Sequence, residues 1–206
     1  MKKIFVTGIG TDVGKTVVSA ILTEAMQADY WKPIQTGSFF STDADKIRKY
    51  ISNTKSQVHP ESYVLKQYMS PHAAAELEGQ RIAIENINLP LTNNTLVIEG
   101  AGGIMVPINE KEFIIDVITK VDAKVVLVIQ NYLGSINHSI LSIDALKQRN
   151  IPVLGLVFNG APHKLSEDII LAHSGLKVLG RIQKEAIINK DVVAKYAAQF
   201  RDNLSF

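Results

Sequence analysis

A glycine-rich segment close to the start of the chain constrains the fold more than any other feature. The apolar run 4–6 leads into Gly-Ile-Gly-Thr-Asp-Val-Gly-Lys-Thr at residues 8–16, which is followed by a stretch with helical spacing. A buried strand, a glycine loop and a helix in this order are the setting that a phosphate-binding loop requires. In such a loop, backbone amides surround phosphate oxygens, Lys15 reaches the outer phosphates and the Thr16 hydroxyl binds Mg²⁺. The segment therefore predicts a nucleotide-binding α/β protein.

The glycine spacing departs from the common phosphate-loop pattern. That pattern has a glycine five residues before the Gly-Lys pair, where this chain has Ile9, and the use of Gly8 instead makes the loop one residue longer. The alternative interpretation is a tight glycine-rich turn that leaves Lys15 exposed. We favour the phosphate loop because the lysine is followed by a threonine and the segment lies between a strand and a helix.

Short apolar runs recur along the chain, and each is continuous rather than alternating in polarity, which is typical of strands buried on both faces. Most of them are separated by stretches with helical spacing. This alternation predicts an α/β fold with a P-loop NTPase-type, mostly parallel sheet flanked by helices. We predict strands at residues 4–6, 96–98, 125–129, 153–158 and 178–182, with an additional strand at 30–34.

The helical spacing falls between these runs and continues after the last one. We predict helices at residues 16–26, 114–121, 140–149, 169–174 and 192–204, with helical pieces around 45–51 and 73–78 in an elaborated crossover. No stretch resembles a linker between independent domains. We therefore expect residues 1–206 to form a single domain.

Composition and charge exclude several classes of function. The 206 residues carry 22 Lys and Arg against 20 Asp and Glu, and the basic residues are scattered, so we expect neither a nucleic-acid nor a membrane partner. The chain has no cysteine, which excludes disulfides, thiolate zinc sites and a cysteine nucleophile. The first apolar run is too short for an export signal, so we expect a cytoplasmic protein.

Two charged residues lie at or just beyond predicted strands, where open α/β sheets bind their ligands. Glu99 follows the run 96–98 and begins Glu-Gly-Ala-Gly-Gly, a position typical of a magnesium-directed acid beside phosphates. Lys32 lies in the short strand 30–34, and beside Lys15 its ammonium group can neutralise a transferring phosphate. The alternatives are a solvated glutamate and a surface lysine on an edge strand.

Weaker candidates follow other strands. Thr36, Asp43 and Asp45 place a hydroxyl and two acids in one loop. Asn159 after the run 153–158 is suited either to a hydrogen bond with a nucleotide base or to a turn. The segment Gly-Ser-Ile-Asn-His at 134–138 precedes a helix and offers amide donors to a carboxylate, although a simple helix N-cap has the same sequence.

Taken together, these segments resemble the dethiobiotin synthetase family in order from Phe5 to about Ile182. The family has the same lengthened loop, Gly-x5-Gly-Lys-Thr, which accounts for Ile9. Further matches are Lys-Pro at 32–33, Thr-Gly at 36–37, Thr-Asp-Ala at 42–44, Ser-Pro-His at 70–72 and Asn159. The most specific segments are Glu-Gly-Ala-Gly-Gly at 99–103 and Gly-x-x-Asn-His at 134–138.

The resemblance implies an ATP- and Mg²⁺-dependent reaction of carbon dioxide with the diamino acid 7,8-diaminononanoate, giving dethiobiotin, ADP and phosphate. It also implies a homodimer with shared active sites. The implied catalytic residues are Lys15 and Lys32. The implied Mg²⁺ ligands are Thr16, Asp43 and Glu99. The implied substrate-binding residues are Thr36, Ser135, Ile136 and Asn137. The implied nucleotide-binding residues are Thr11, Asp12, Val13, Gly14, Lys15, Thr16, Val17, Asp43, Glu99, Gly100, Ala101, Gly102 and Asn159.

Two positions and two rival functions stay open at this point. Gln183 stands where the family commonly has a proline, which bears on nucleotide preference, and Asp45 competes with Asp43 as metal ligand. A regulatory ATPase of the partitioning type shares the predicted sheet, but such proteins begin the loop with Lys-Gly-Gly, and here no lysine precedes Lys15 in the loop. A catalytically silent sensing domain is disfavoured by the presence of Lys15, Lys32 and Glu99.

Overall fold

Eight strands and seven helices alternate along the chain in a computed structural model that describes residues 1–37 and 40–204. The strands are β1 Lys3–Gly8, β2 Asp29–Trp31, β3 Ile34–Gln35, β4 Tyr63–Val64, β5 Leu96–Gly103, β6 Lys124–Gln130, β7 Val153–Asn159 and β8 Val178–Ile182. The helices are α1 Lys15–Met26, α2 Asp43–Tyr50, α3 Pro71–Leu77, α4 Ile114–Val121, α5 Ser135–Gln148, α6 Lys164–Ser174 and α7 Lys190–Phe200, with short 3₁₀ turns at Ile84–Asn86 and Arg201–Asn203.

Six strands form one sheet in the order β2-β5-β1-β6-β7-β8, and neighbouring strands run parallel. The predicted class, a parallel α/β sheet flanked by helices, is confirmed. Side chains 125–129 of β6 are fully buried, as the continuous apolar run predicts for a strand covered on both faces.

The predicted strand at 30–34 is wrong as a single element. β2 ends at Trp31, and after Pro33 the chain leaves the main sheet, so that β3 pairs with β4 in a separate two-stranded sheet. The physical reason is the proline, which has no N–H to donate to a ladder. The carbonyl of Pro33 instead accepts hydrogen bonds from the amides of Ser62 and Tyr63.

The helix predictions are correct in kind and differ at the ends. α4 matches its prediction, and α1 begins one residue early, whereas α5 and α6 each begin five residues earlier than predicted. α7 begins at Lys190 and ends at Phe200, after which the chain forms a 3₁₀ turn. The first turns were missed because they are polar or capped by local side chains, such as Asn189, whose side chain accepts from the Val192 amide.

The order of the strands determines where functional side chains meet. β5 lies between β2 and β1, and Glu99 on β5 is paired in register with Val6 on β1, two residues before that strand ends. The carboxyl ends of β1, β2 and β5 therefore converge at one edge, with the N-terminus of α1 above them. Within the described residues, no helix is both long and apolar enough to cross a bilayer.

Candidate active site

The glycine loop continues the strand that precedes it. The N–H of Ile9 donates to the Val128 carbonyl at 3.2 Å, and the Ile9 side chain is buried. This residue therefore extends the pairing of β1 with β6 before the chain turns. The additional loop residue is thus accommodated by the sheet, which explains why isoleucine is compatible with a position that is glycine in the common pattern.

Two residues of the loop have left-handed backbone conformations just before α1. Asp12 has a φ of 58° and Gly14 a φ of 99°. A Cβ atom at Gly14 would lie 2.2 Å from the side-chain nitrogen of Asn159, so only glycine fits. Asn159 in turn donates to the Val13 carbonyl at 2.9 Å. Asn159, the last residue of β7, therefore supports the phosphate loop in addition to ending its strand.

Lys15 is the first residue of α1 and is only 8% exposed, which contradicts the alternative of an exposed turn lysine. Its ammonium group donates to the Gly10 carbonyl at 2.8 Å across the loop. Burial lowers the pKa of Lys15 to about 8, an effect that the nearby carboxylate of Glu99 opposes and the ammonium of Lys32 reinforces. A phosphate in the loop would supply the counter-charge that this buried ammonium group lacks.

Glu99 lies within the buried part of β5 and is 1% exposed, so it is not a solvated surface glutamate. One carboxylate oxygen accepts from the Thr16 hydroxyl at 2.8 Å and from the Lys32 ammonium at 3.1 Å. The other oxygen accepts from the Tyr30 hydroxyl at 2.9 Å. Three elements, α1, β2 and β5, thus contribute to one buried polar cluster.

Lys32 is 5% exposed and lies between two carboxylates, those of Glu99 and Asp43. The surface-lysine alternative is therefore wrong. Although burial by itself lowers the pKa of Lys32, the charges of Glu99 and Asp43 raise it above the ordinary lysine value. The side chain is consequently a fixed positive charge beside the phosphate loop.

Asp43 and Asp45 have different surroundings even though they are two residues apart. Asp43, the first residue of α2, faces the cluster and contacts Lys32, and its second oxygen accepts from Lys46 at 2.8 Å. Burial alone would raise the pKa of Asp43, but the two lysines, Lys32 foremost, lower it to about 2. Asp45 instead forms a capping box with Thr42 and an ion pair with Arg48.

A cavity of about 380 Å³ opens over this cluster. It contains most of the residues that the sequence analysis assigned to nucleotide, metal and substrate. They are Thr11, Asp12, Gly14, Lys15, Thr16, Val17, Lys32, Thr36, Asp43, Glu99, Ala101 and Gly102. Six further residues line the cavity without having been assigned to the site from the sequence, namely Gln35, Gly37, Ser41, Lys46, Tyr50 and Tyr68.

Three of the predicted nucleotide-binding residues lie behind the lining. The Val13 side chain is buried in the core, and a Cβ at Gly100 would point at the Phe5 ring, 2.7 Å from its nearest atom. Asn159 contacts the loop from the side of β7, as described above. The only sequence signal for Lys46 is its spacing of three residues from Asp43 on one helix, which places the two side chains on the same face.

The residues predicted to bind the substrate carboxylate do not line this cavity. Ile136 and Asn137 line a separate cavity of about 710 Å³, together with Leu133 and His163, and the Ser135 side chain is buried. Gly134, with a φ of 102°, precedes the helix. In one chain, therefore, Ile136 and Asn137 lie in a different cavity from Lys15 and Lys32.

The oxygen donors of the cluster suit Mg²⁺, which prefers carboxylate, hydroxyl, water and phosphate oxygens. Thr16 and Glu99 are in contact, and Asp43 and Glu99 direct oxygens toward the same ammonium group of Lys32, so they already share one cation. Among residues 1–37 and 40–204, no group of three or more His, Cys, Asp and Glu forms a protein-only metal cage. Phosphate and water oxygens would complete the coordination of an ion held by Thr16, Asp43 and Glu99.

Comparison with known proteins separates the fold from the family. A family model described as an AAA domain matches residues 2–191. In structure, the chain is similar to a ParA family ATPase from Chlorobium tepidum, with a TM-score of 0.60 at 12% identity, covering 96% of this chain and 98% of the other. It is also similar to the cell division ATPase MinD from Pyrococcus furiosus, with a TM-score of 0.59 at 14% identity, covering 98% and 99%. At this identity the likeness concerns the fold alone.

Sequence similarity points to one family. The chain is 54% identical to the ATP-dependent dethiobiotin synthetase BioD of Cytophaga hutchinsonii and 51% identical to that of Christiangramia forsetii, covering 98% of both chains in each comparison. A relative with the same name from Paramagnetospirillum magneticum is 41% identical over 94% of both chains. With its lengthened glycine loop, its buried Lys-Glu-Asp cluster and relatives of this similarity, the chain belongs to the dethiobiotin synthetase family.

Proposed function

We propose that this protein catalyses the ATP-dependent carboxylation and ring closure of 7,8-diaminononanoate, giving dethiobiotin, ADP and phosphate. The observation that carries the proposal is the pair of buried lysines, Lys15 and Lys32, beside the carboxylates of Glu99 and Asp43 in one cavity. The reaction passes through anionic carbamate and phosphoryl groups. Two buried ammonium groups at the phosphate loop are suited to neutralise and align them.

The chemistry requires activation of a poor electrophile. One amine adds to carbon dioxide and loses a proton to give a carbamate, whose oxygen then attacks the terminal phosphorus of ATP with departure of ADP. The second amine attacks the carbonyl carbon of the phosphorylated carbamate, loses a proton and expels phosphate, which closes the ring. During these steps Lys15 binds the outer phosphates of ATP, and Lys32 binds the carbamate oxygen that accepts the phosphoryl group.

Thr16, Asp43 and Glu99 are the residues that would hold Mg²⁺. The ion, when bound with ATP, supplies neutralisation of charge on the phosphates. Thr36 also lines this cavity, and we expect it to contact the diamine. The protein mainly positions the reacting groups, because phosphoryl transfer leaves little covalent chemistry for side chains.

Turnover with defined reactants tests the proposal. The protein is incubated with ATP, Mg²⁺, bicarbonate and the diamine, and dethiobiotin is measured by mass spectrometry while ADP release is followed in parallel. We expect ADP release to require both the diamine and bicarbonate. Vigorous ATP hydrolysis without either of them would contradict the proposal, and absence of turnover in the complete mixture would favour a silent sensing domain.

We further propose that two chains form a symmetric dimer in which the partner supplies the site for the substrate carboxylate. The substrate has its amines at one end and its carboxylate several carbons away. The start of α5 offers helix N-terminal amides and the Asn137 side chain to an anion. It lies next to side chains that are unusually exposed for their type, with Leu133 104% and Tyr132 41% exposed, as expected for a surface covered by a second copy.

Mixed dimers test the shared site. Asn137→Ala damages one half of the site and Lys15→Ala the other, so a dimer with one chain of each retains one complete site. We expect activity to reappear on mixing these variants. Mixing Lys15→Ala with Lys32→Met, which both affect the phosphate cavity, should give no recovery. Mixed dimers of the first pair that form but stay inactive would contradict the shared site.

A further inference from the structure

Tyr30 lies beneath the candidate active site and contacts none of the groups that the proposed reaction transforms. It is the central residue of β2, paired in register with Val97 on β5. Its own N–H donates to the Gln57 carbonyl at 2.8 Å and its carbonyl accepts from the His59 amide at 2.9 Å. Backbone hydrogen bonds on both sides of the strand therefore fix the direction in which the side chain points.

The Tyr30 side chain is completely buried. A phenol costs free energy to bury unless its hydroxyl forms a hydrogen bond, and phenylalanine would fill the same space without that cost. The hydroxyl donates to one oxygen of Glu99 at 2.9 Å. The tyrosine is the donor in this bond, because an ionised carboxylate can only accept.

Because of this hydrogen bond, the two oxygens of Glu99 have different partners. Oε2 accepts from Tyr30 in the core, whereas Oε1 accepts from Thr16 and from the ammonium group of Lys32. Oε1 is thus the oxygen that faces cations. A carboxylate that is held at one oxygen cannot rotate freely, and its second oxygen keeps a fixed direction.

We propose that Tyr30 is a positioning residue that holds Oε2 of Glu99 and so directs Oε1 toward the metal bound with the nucleotide. The inference rests on the proposed function, because that function places Mg²⁺ at Thr16, Asp43 and Glu99. Tyr30 acts only through Glu99. Its loss should therefore weaken metal binding more than it weakens the chemical step at saturating metal.

The test replaces Tyr30 with phenylalanine, which removes the hydroxyl and keeps the ring. Tyr63→Phe is the matched control, since the Tyr63 hydroxyl contacts only the backbone of Ala83 among its described hydrogen bonds, outside the cavity. Binding of Mn²⁺, used as a probe for Mg²⁺, is measured by electron paramagnetic resonance in the presence of a non-hydrolysable ATP analogue. The Mg²⁺ dependence of turnover is measured alongside.

For Tyr30→Phe we expect Mn²⁺ affinity to fall on the order of tenfold, as is usual when a residue supporting a metal ligand is removed. The Mg²⁺ concentration for half-maximal turnover should rise by a similar factor, while kcat at saturating Mg²⁺ changes by less than about threefold. Tyr63→Phe should alter neither quantity. A purely structural role of Tyr30 predicts lower thermal stability with unchanged Mn²⁺ affinity, and that result would overturn the proposal.

Two features keep the proposal testable under other outcomes. If Tyr30→Phe does not fold, a crystal structure of the natural protein with Mn²⁺ and the analogue replaces it. The metal must then lie on the Glu99 oxygen that Tyr30 does not hold, and coordination through the tyrosine-bound oxygen would overturn the proposal. Failure to form dethiobiotin at any Mg²⁺ concentration counts against the proposed function alone, because Mn²⁺ affinity is measured without turnover.

Discussion

Two buried carboxylates lie on neighbouring strands of the same sheet and have opposite surroundings. Glu99 lies in the middle of β5, close to the carboxyl ends of β1 and β2, and it contacts an ammonium group and a hydroxyl of residues that line a cavity. Asp29 begins β2 at the other end of the strands and is 3% exposed. Its neighbours are the Gln57 amide at 3.0 Å, Thr92 at 2.7 Å, Asn94 at 3.1 Å and the His59 imidazole at 3.1 Å.

The difference distinguishes a carboxylate that stabilises the fold from one that takes part in chemistry. The partners of Asp29 belong to loops, and their hydrogen bonds to this carboxylate hold the loops against the sheet. Burial alone would raise the pKa of Asp29, but these hydrogen bonds outweigh burial and lower the pKa below its ordinary value. Glu99 instead contacts the ammonium group of Lys32 and the hydroxyl of Thr16. A metal cation can take the place of the ammonium group at Glu99 and bind beside the threonine hydroxyl. The hydrogen bonds of Asp29 leave no room for a cation.

The largest effect on the active cluster is expected for Lys15→Ala. Removing the buried ammonium group should lower turnover on the order of 10³-fold, because charge on the transferring phosphate is no longer neutralised. Steady-state kinetics and calorimetric ATP binding measure the loss. Lys164→Ala, at a side chain 83% exposed, is the control and should behave like the natural protein. Turnover within tenfold of the natural value would remove Lys15 from the mechanism.

Lys32→Arg should lower turnover by about 100-fold while retaining the positive charge. A planar guanidinium does not fit where a compact ammonium group lies between Glu99 and Asp43. The matched control is Lys46→Arg, since Lys46 also contacts Asp43 but its side chain is 46% exposed, and we expect a change of only a few-fold there. Near-normal kinetics for Lys32→Arg would show that charge alone is sufficient.

Glu99→Gln should raise the Mg²⁺ concentration needed for half-maximal turnover by between about 10-fold and 100-fold. The substitution keeps the shape and removes the charge that a divalent cation requires. Turnover is measured over a series of Mg²⁺ concentrations at fixed ATP. The metal assignment fails if the Mg²⁺ dependence of this variant coincides with that of the natural protein.

Asp29→Asn should alter stability and leave turnover unchanged. Because the folded-state pKa of Asp29 is lowered, its ionised form contributes stability above about pH 4, and this contribution is lost as the pH falls through the folded-state pKa. The variant should lose about 1–3 kcal/mol of unfolding free energy near neutral pH and lose less on acidification. Urea unfolding at several pH values measures this. A reduced kcat at 25 °C in a folded variant would contradict the purely stabilising role of Asp29.

The sequence was sufficient for the parts of the site that follow strands directly. Lys15 follows β1 through the phosphate loop, and Glu99 follows the predicted strand 96–98, although β5 itself continues to Gly103. The convergence of parallel strands brings such residues together. Tyr30 and Gln35 were not identified, because the direction of a side chain in a short strand depends on which neighbours the strand acquires. The choice between Asp43 and Asp45 likewise depended on the exact start of α2, which apolar spacing does not define.

Pro33, which lies just beyond the end of β2, also affects Lys32, the residue before it. A residue that precedes proline is largely confined to extended conformations even in the unfolded chain, and proline itself has a fixed φ. Folding therefore removes less conformational entropy at Lys32 than at an ordinary residue. The lysine that bridges two carboxylates is in this way pre-organised by its own covalent neighbour, before any tertiary contact has formed.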